Sequence, residues 1–421
     1  MLNIYLLLGE RGDKVNRKQI TEEIANIIQN FRKDELPIQL DSRHVEKWVS
    51  QFSKETQDII LFETLHVLNE WYFNDSKIDD ILDSILSYIT RKYEFSSEFE
   101  MLKSVSFIQV QETGLSQRKM LERLINMVND RYDYPLKTSV DEETKHYVYI
   151  DDGLYTGKRA RTDIEECLWL LPRESTLDVF YIVGATQGVE YVKNKLTSII
   201  DEQNIQFKIH TYKKLCNNKK VSKTYEYNGE CIETYEKYKK CLWPTSRASG
   251  IQEIADYYSS LMQLGDNYEK IPYRAYPWEN DNGIFSSAQN REVVEIEFLV
   301  KGMEIIRSLS KESKMYPLGY NLWPSFGFGS FCAFDMNISN ACPLVLWWGN
   351  LLKEGNPLDN WYPLLPRRSN AESDEADALD WNSDDFEMEK DQYNMCPDCF
   401  CYFGHDQDGG NGFCIDCAWK H

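Results

Sequence analysis

Residues 146–168 read HYVYIDDGLYTGKRARTDIEECL, and this stretch decides the fold class. The hydrophobic run HYVYI ends in two adjacent carboxylates, Asp151 and Asp152, and is followed by a Thr-Gly turn and then a basic segment with helical periodicity. A short apolar run bounded by turn residues indicates a buried strand, and apolar residues three or four apart indicate a helix. We therefore predict a strand, an acidic loop and a helix in this order.

The same order is repeated along the neighbouring sequence. Strand-like runs are SVSFIQV (104–110), LDVFYIV (177–183) and IQFKIH (205–210), and helical spacing occurs in RKMLERLINMVNDRY and VEYVKNKLTSII. Strands that alternate with helices predict an α/β fold, a parallel sheet flanked by helices. Ligands of such sheets bind in loops at the carboxyl ends of the strands, and the acidic loop lies at such a position.

The remaining sequence suggests further segments around this α/β domain. Residues 1–100 are predicted to form a helical module, because Ile and Leu recur at three- and four-residue intervals between charges. The α/β domain is expected over 101–365. Residues 366–392 are rich in uncompensated acid and are predicted to be a linker. Residues 393–421 form a cysteine-dense tail.

The composition excludes several classes of protein. The 421 residues carry a formal net charge of −21, which argues against a protein that coats nucleic acid without regard to sequence. A local basic patch is still compatible with this charge. The apolar runs IYLLL and CPLVLWWGNLL are too short for a signal or a membrane span, so we expect a cytoplasmic protein without membrane contact. In that compartment the 11 cysteines are expected to be thiols or metal ligands.

The tail MCPDCFCYFGHDQDGGNGFCIDCAWKH contains two Cys-x-x-Cys pairs, Cys396 with Cys399 and Cys414 with Cys417. Four thiolates at this spacing predict a tetrahedral, structural zinc site of the zinc-ribbon type. Metal binding would supply the folding energy of so short a segment. A redox dithiol is the alternative, and further candidate ligands are Cys401, His405 and His421.

The acidic loop has two interpretations on its residues alone. Carboxylates at the carboxyl end of a parallel strand can accept hydrogen bonds from a pair of hydroxyls or help to hold a hydrated divalent metal. A glycine turn at the start of a helix offers backbone amides to a phosphate. Together these groups suit a ribose 5-phosphate. A plain helix cap at Asp151 and Asp152 with a turn at Gly157 fits equally well.

The stretch VYIDDGLYTGKRA resembles the phosphoribosyl pyrophosphate motif of type I phosphoribosyltransferases: four hydrophobic residues, two acids, a spacer and Thr-Gly-x-Thr. The resemblance implies that Asp151 and Asp152 hold the ribose 2′- and 3′-hydroxyls, and that the loop at Thr156 and Gly157 holds the 5-phosphate. Mg²⁺ is the implied partner of the ligand.

Two other parts of this resemblance concern the phosphate loops. Lys158 and Arg159 continue the Thr-Gly loop, and Arg159 stands where the family has its last Thr. An arginine there implies either a bidentate phosphate contact or a changed ligand. The family's pyrophosphate loop corresponds to QETGLS, with Thr113 and Gly114 as contacts, although a plain strand-to-helix turn fits those residues equally well.

A second stretch, GFGSFCAFDMNISNACPLVLWW, is similar to the PRTase-CE family of bacterial conflict systems, with Asn337, Asn340, Pro343 and Trp347 as counterparts of its loop. This similarity implies an effector of antiviral defence that binds phosphoribosyl pyrophosphate or a nucleotide and has an ATPase or a reverse transcriptase as its protein partner. Whether the site turns over is left open. The alternatives are a degenerate nucleotide-sensing or partner-docking protein and a zinc-ribbon adaptor for nucleic acid.

Overall fold

The described part of the chain begins with helices. The computed structural model describes residues 16–110, 116–215, 284–307, 316–319, 328–349, 351, 361–367, 393–395 and 402–404. Its first elements are α1 (Arg17–Ile28), α2 (Ser42–Val49), α3 (Gln57–Trp71), β1 (Tyr72–Phe73), α4 (Asp75–Lys92) and α5 (Glu98–Ser104). Helix α4 shows why these segments are helical. Its Asn74 cap accepts a hydrogen bond from the Lys77 amide, and Ile and Leu at three- and four-residue spacing form its buried face.

A four-stranded sheet follows, and every strand pair in it is parallel. Its strands are β2 (Val105–Phe107), β3 (His146–Leu154), β4 (Thr176–Ala185) and β5 (Gln206–Leu215), in the spatial order β2-β3-β4-β5. All ten residues of β4 are buried, as expected for an inner strand of a sheet that is covered on both faces. The predicted parallel sheet is confirmed.

Helices cover both faces of this sheet. They include α6 (Ser116–Tyr132), α7 (Lys158–Leu170) and α8 (Thr186–Gln203). Val148 and Ile150 of β3 belong to one hydrophobic cluster together with apolar residues of α4 and α6. Tyr147 and Tyr149 belong to a second cluster with residues of α7 and α8. Because successive side chains of a strand point to opposite faces, this division confirms the predicted α/β class.

Strand β3 continues further than the hydrophobic run suggests. It pairs with β4 as far as Leu154 opposite Gly184, so Asp151 and Asp152 lie within the strand and not in a loop after it. Helix α7 starts at Lys158, directly after Gly157. The acidic pair and the loop that follows it are therefore held by regular structure on both sides.

Several C-terminal elements pack against the N-terminal helices. The described elements are α9 (Ala288–Arg307), β6 (Ala333–Phe334), β7 (Asn337–Ile338), α10 (Leu344–Trp347), β8 (Tyr393–Met395) and β9 (Tyr402–Gly404). Strand β6 pairs in parallel with β1 and antiparallel with β7. The indole N–H of Trp48 donates to the carbonyl of Val345 at 2.8 Å, and the hydroxyl of Tyr72 donates to Asp335 at 2.6 Å.

One hydrophobic cluster joins the N-terminal helices, one face of the sheet and the segment around α10. The helical module thus packs directly on the α/β core. The boundaries predicted at residues 100, 365 and 392 stay predictions. Among the described helices, none combines the length and apolar character required to cross a bilayer.

Candidate functional site

The acidic pair lies near the C-terminal end of β3, and its two carboxyl groups are close enough to interact directly. Asp151 is 5% exposed and Asp152 is half-buried. One carboxylate oxygen of Asp151 accepts a hydrogen bond from the Asp152 amide at 2.8 Å, and the other accepts from the Tyr149 hydroxyl at 3.1 Å. These bonds fix the orientation of the Asp151 carboxylate.

Two helices, α6 and α7, also place side chains near Asp151. The hydroxyl of Ser116, the first residue of α6, hydrogen-bonds to Asp151, and the carboxylate of Asp163 on α7 lies close enough to act on it electrostatically. Burial raises the pKa of Asp151 to about 6, and Asp163 acts in the same direction. The hydrogen bonds from Ser116, the Asp152 amide and Tyr149 act in the opposite direction.

Asp152 is perturbed more strongly. Burial and the adjacent Asp151 raise the pKa of Asp152 well above its ordinary value. Two carboxylates of this kind retain protons further up the pH range than isolated aspartates do. Hydroxyl donors would satisfy their oxygens, and so would a hydrated divalent cation that is completed by phosphate oxygens and water. The donor set therefore fits both the diol and the Mg²⁺ that the resemblance implies.

The loop after β3 presents a helix N-terminus. Gly157 has a φ of +82°, which favours glycine, and it precedes α7 without any side-chain hydrogen bond to the helix end. A Cβ at Gly157 would lie 2.7 Å from the carbonyl oxygen of Gly188 in α8, so the loop packs closely on that helix. The first turn of α7 contains no acidic residue. Its leading amides have no acceptor within the helix, and such a turn suits an anion.

Arg159, which departs from the phosphoribosyltransferase motif, lies in α7 and pairs with a residue of the same helix. Arg159 Nε lies 3.6 Å from Asp163 Oδ2, with the Arg159 side chain 53% exposed and the Asp163 side chain 9% exposed. Thr156 is buried, at 8% exposure, and Lys158 is half-buried. The structure thus gathers Asp151, Asp152, Thr156, Gly157, Lys158 and Arg159 around the end of one strand.

Sequence reasoning missed Tyr155, which joins the two stretches that carry the resemblance. Its ring lies against Gly153, because an added Cβ there would be 2.7 Å from the ring. Its hydroxyl lies near Ser330, Cys332 and Cys342. A signal was present in the sequence: a tyrosine stands between two glycines in DGLYTG, and glycine permits close approach of a ring.

The other residues of the second stretch lie in and around β7 and α10. Asn337 begins β7, Pro343 precedes α10, and the buried Trp347 donates its indole N–H to the carbonyl of Cys342 at 2.9 Å. Asn340 lies in the turn between these two elements. The structure therefore brings Cys332 and Cys342 of this stretch to the site through Tyr155.

Several predicted residues lie outside the described part of the chain. Thr113 and Gly114 do, although Ser116, two residues after Gly114, hydrogen-bonds to Asp151. The four predicted zinc ligands and the spare candidates also do: Cys396, Cys399, Cys401, His405, Cys414, Cys417 and His421. Within the described residues, no group of three or more His, Cys, Asp or Glu side chains is arranged to hold a metal ion. Both assignments stay predictions.

The chain matches the model of a known protein family. The PRTase-CE family model matches residues 45–367, which is most of the chain. The chain belongs to the PRTase-CE family. The part that matches PRTase-CE begins in α2, so the family includes much of the N-terminal helical segment as well as the sheet, the acidic pair and α10. No curated protein matches the chain.

Proposed function

We propose that this PRTase-CE protein binds phosphoribosyl pyrophosphate or a nucleotide at the C-terminal end of β3 and transfers or releases the ribosyl-phosphate group. The observation that carries the proposal is the carboxylate pair of the buried Asp151 and the half-buried Asp152, which precedes an uncapped helix N-terminus at Gly157. One feature suits a diol and the other suits a phosphate, and the four residues 153–156 connect them.

Each group of residues has a defined role in this proposal. The ribose hydroxyls donate hydrogen bonds to the carboxylates of Asp151 and Asp152, and the amides of residues 157–160 receive the 5-phosphate. Thr156, Lys158 and Arg159 add contacts to the same phosphate. Thr113 and Gly114, which precede Ser116 and α6 in the sequence, contact the pyrophosphate.

In this transfer the protein orients the reacting groups and forms no covalent bond to the sugar. The bond between C1 of the ribose and the pyrophosphate oxygen breaks, positive charge develops at C1, and a nucleophile adds to that carbon. Asp151 and Asp152 hold the ring so that C1 faces the nucleophile, and the loop amides fix the other end of the sugar. When bound, Mg²⁺ neutralises charge on the departing pyrophosphate.

The family also supports a cellular role, which we include in the proposal. The protein acts in the cytoplasm as an effector of bacterial antiviral defence, with an ATPase or a reverse transcriptase of the same system as its partner. A zinc ribbon held by Cys396, Cys399, Cys414 and Cys417 serves as a structural or recognition element. The net charge of −21 disfavours nucleic acid as the main ligand.

A second function is favoured by one observation. Arg159 replaces the family's last Thr and pairs with Asp163 on its own helix. A guanidinium held in this way changes the phosphate loop from the form used for turnover. The second candidate is therefore a nucleotide-sensing or partner-docking protein that uses the same pocket without releasing pyrophosphate.

Release of pyrophosphate from labelled phosphoribosyl pyrophosphate tests the proposal. We expect release by the wild-type protein in the presence of Mg²⁺ and an acceptor (a base, a nucleotide, an RNA or a protein), and its loss in Asp152→Asn with the fold intact. Asp201→Asn, an exposed position on α8, is the matched control and retains release. Binding without release supports the sensor, and the absence of both overturns the site.

A further inference from the structure

Tyr155 lies between the acidic pair and residues 328–342. A Cβ added to Gly153 would lie 2.7 Å from the Cε2, Cζ and hydroxyl oxygen atoms of its ring, so the outer half of the ring covers Gly153. Gly153 directly follows Asp152. Burial raises the pKa of Tyr155 well above its ordinary value, and the nearby Cys332, Cys342 and Asp152 raise it further. The phenol therefore stays neutral.

The backbone of Tyr155 is held as tightly as its ring. Its carbonyl lies against Gly188 of α8, where a Cβ would overlap the oxygen. The next two residues, Thr156 and Gly157, begin the phosphate loop. A displacement of Tyr155 would therefore move Gly153 on one side and the loop amides on the other.

The hydroxyl end of the Tyr155 ring faces Ser330, Cys332 and Cys342, which are held by hydrogen bonds of their own. Cys342 Sγ donates to the carbonyl of Cys332 at 3.3 Å, and the Cys332 amide donates to Ser330 Oγ at 3.1 Å. The carbonyl of Cys342 accepts the indole N–H of Trp347. Ser330, Cys332 and Cys342 are almost fully buried, so this surface belongs to the packed core and cannot adjust freely.

We propose that Tyr155 is a positioning residue, through which the surface formed by Ser330, Cys332 and Cys342 sets the Asp152 carboxylate and the phosphate loop. Residues 328–342 thus control the site without contacting the ligand. The identity of the ligand rests on the proposed function, but the positioning of the loop does not.

A double-mutant cycle between Gly153 and Tyr155 tests this contact. Gly153 has a φ that any residue adopts, so Gly153→Ala disturbs the site through the ring. Tyr155→Phe keeps the two ring carbons that the new Cβ would meet, and Tyr155→Leu lacks them. We expect Gly153→Ala to weaken binding of phosphoribosyl pyrophosphate about tenfold in the Tyr and Phe backgrounds and by less than about twofold in the Leu background.

Amide hydrogen exchange at residues 156–160 in the protein without ligand provides a second measurement. Gly153→Ala and Tyr155→Leu should each speed exchange of these amides, whereas Tyr155→Phe should not. Cys342→Ala should speed it as well. Cys167→Ala removes an equally buried thiol that lies in the other hydrophobic cluster and serves as the matched control.

The outcomes separate this inference from the proposed function. Equal losses from Gly153→Ala in the Tyr and Leu backgrounds, or equal exchange rates in Cys342→Ala and Cys167→Ala, overturn the positioning role. If the wild-type protein does not bind phosphoribosyl pyrophosphate, the proposed function fails, and the exchange rates still decide whether Tyr155 sets the loop.

Discussion

The α-carbon of Gly157 faces the carbonyl oxygen of Gly188, and a side chain on Gly157 would bring its Cβ within 2.7 Å of that oxygen. The contact joins the loop after β3 to the first turn of α8. Because Gly157 also has a φ of +82°, two independent constraints favour glycine at this position.

Gly157→Ala should therefore destabilise the protein. The substitution forces a side chain into a left-handed backbone conformation and against α8, which we expect to lower the free energy of unfolding by about 1 to 3 kcal/mol. Urea unfolding measures this change. A loss below about 0.5 kcal/mol, the range of an ordinary surface substitution, would mean that the loop does not pack on α8 as described.

The stability of the protein should depend on pH through Asp151. Burial raises the pKa of Asp151 to about 6 in the folded protein, whereas aspartate in an unfolded chain titrates near about 3.9. The folded state thus holds the proton more tightly, and this stabilisation is complete below about pH 4 and disappears as the pH rises through about 6. Wild-type stability should fall relative to Asp151→Asn by roughly 2 to 3 kcal/mol across this window.

Urea unfolding of the wild type and of Asp151→Asn at intervals from about pH 4 to 7 measures this difference. A difference that stays constant over the whole range would show that Asp151 titrates normally and is not buried beside Asp163.

Asp178 is predicted to anchor α4 to the sheet. This carboxylate in β4 accepts hydrogen bonds from Lys92 at 2.6 Å, from Tyr93 at 2.6 Å and from His210 at 2.8 Å. Burial opposes ionisation, but the bonds from His210, Lys92 and Tyr93 outweigh it and lower the pKa of Asp178 to about 2. The stabilisation is present above the unfolded pKa of about 3.9 and is lost as the pH falls towards 2.

Asp178→Asn should cost roughly 3 kcal/mol at neutral pH, because it leaves Lys92 partly buried without its counter-charge. Thermal or urea unfolding provides the measurement, with Asp201→Asn as the exposed control. In the double variant with Lys92→Met the cost should be smaller than the sum of the single effects. Additive costs would contradict a direct pair.

The zinc prediction rests on the sequence of the tail. The purified protein should contain about one zinc ion per chain, and Cys396→Ser together with Cys399→Ser should remove it. Elemental analysis of protein prepared without added metal measures the content. Cys216→Ser with Cys231→Ser, a pair without ligand spacing, is the control. Zinc that persists after loss of the first Cys-x-x-Cys pair would exclude the four-thiolate site.

The sequence predicted the sheet because each of its first three strands contains an apolar run that is followed by a helix-forming segment. It misplaced the acidic pair, since the continued pairing of β3 with β4 up to Leu154 and Gly184 depends on the neighbouring strand and not on local hydrophobicity. Strand β1 was not predictable for the same reason. Two residues show no periodicity, and only pairing with β6 defines them as a strand.

The candidate site was predictable where its residues are close in sequence. Asp151, Asp152, Thr156 and Gly157 stand in one short motif, and the structure keeps them together because a strand and a helix flank them. The proximity of Tyr155 to Cys342 was not predictable, because it brings together residues far apart in the chain and depends on how the core packs.

The position of the ribose in a crystal of the protein grown with phosphoribosyl pyrophosphate and Mg²⁺ is the most direct test of the proposed site. We expect both ribose hydroxyls within hydrogen-bonding distance of the Asp151 and Asp152 carboxylates, and the 5-phosphate on the amides of residues 157–160. A ligand bound elsewhere, with that acidic pair still in contact only with protein groups, would contradict it.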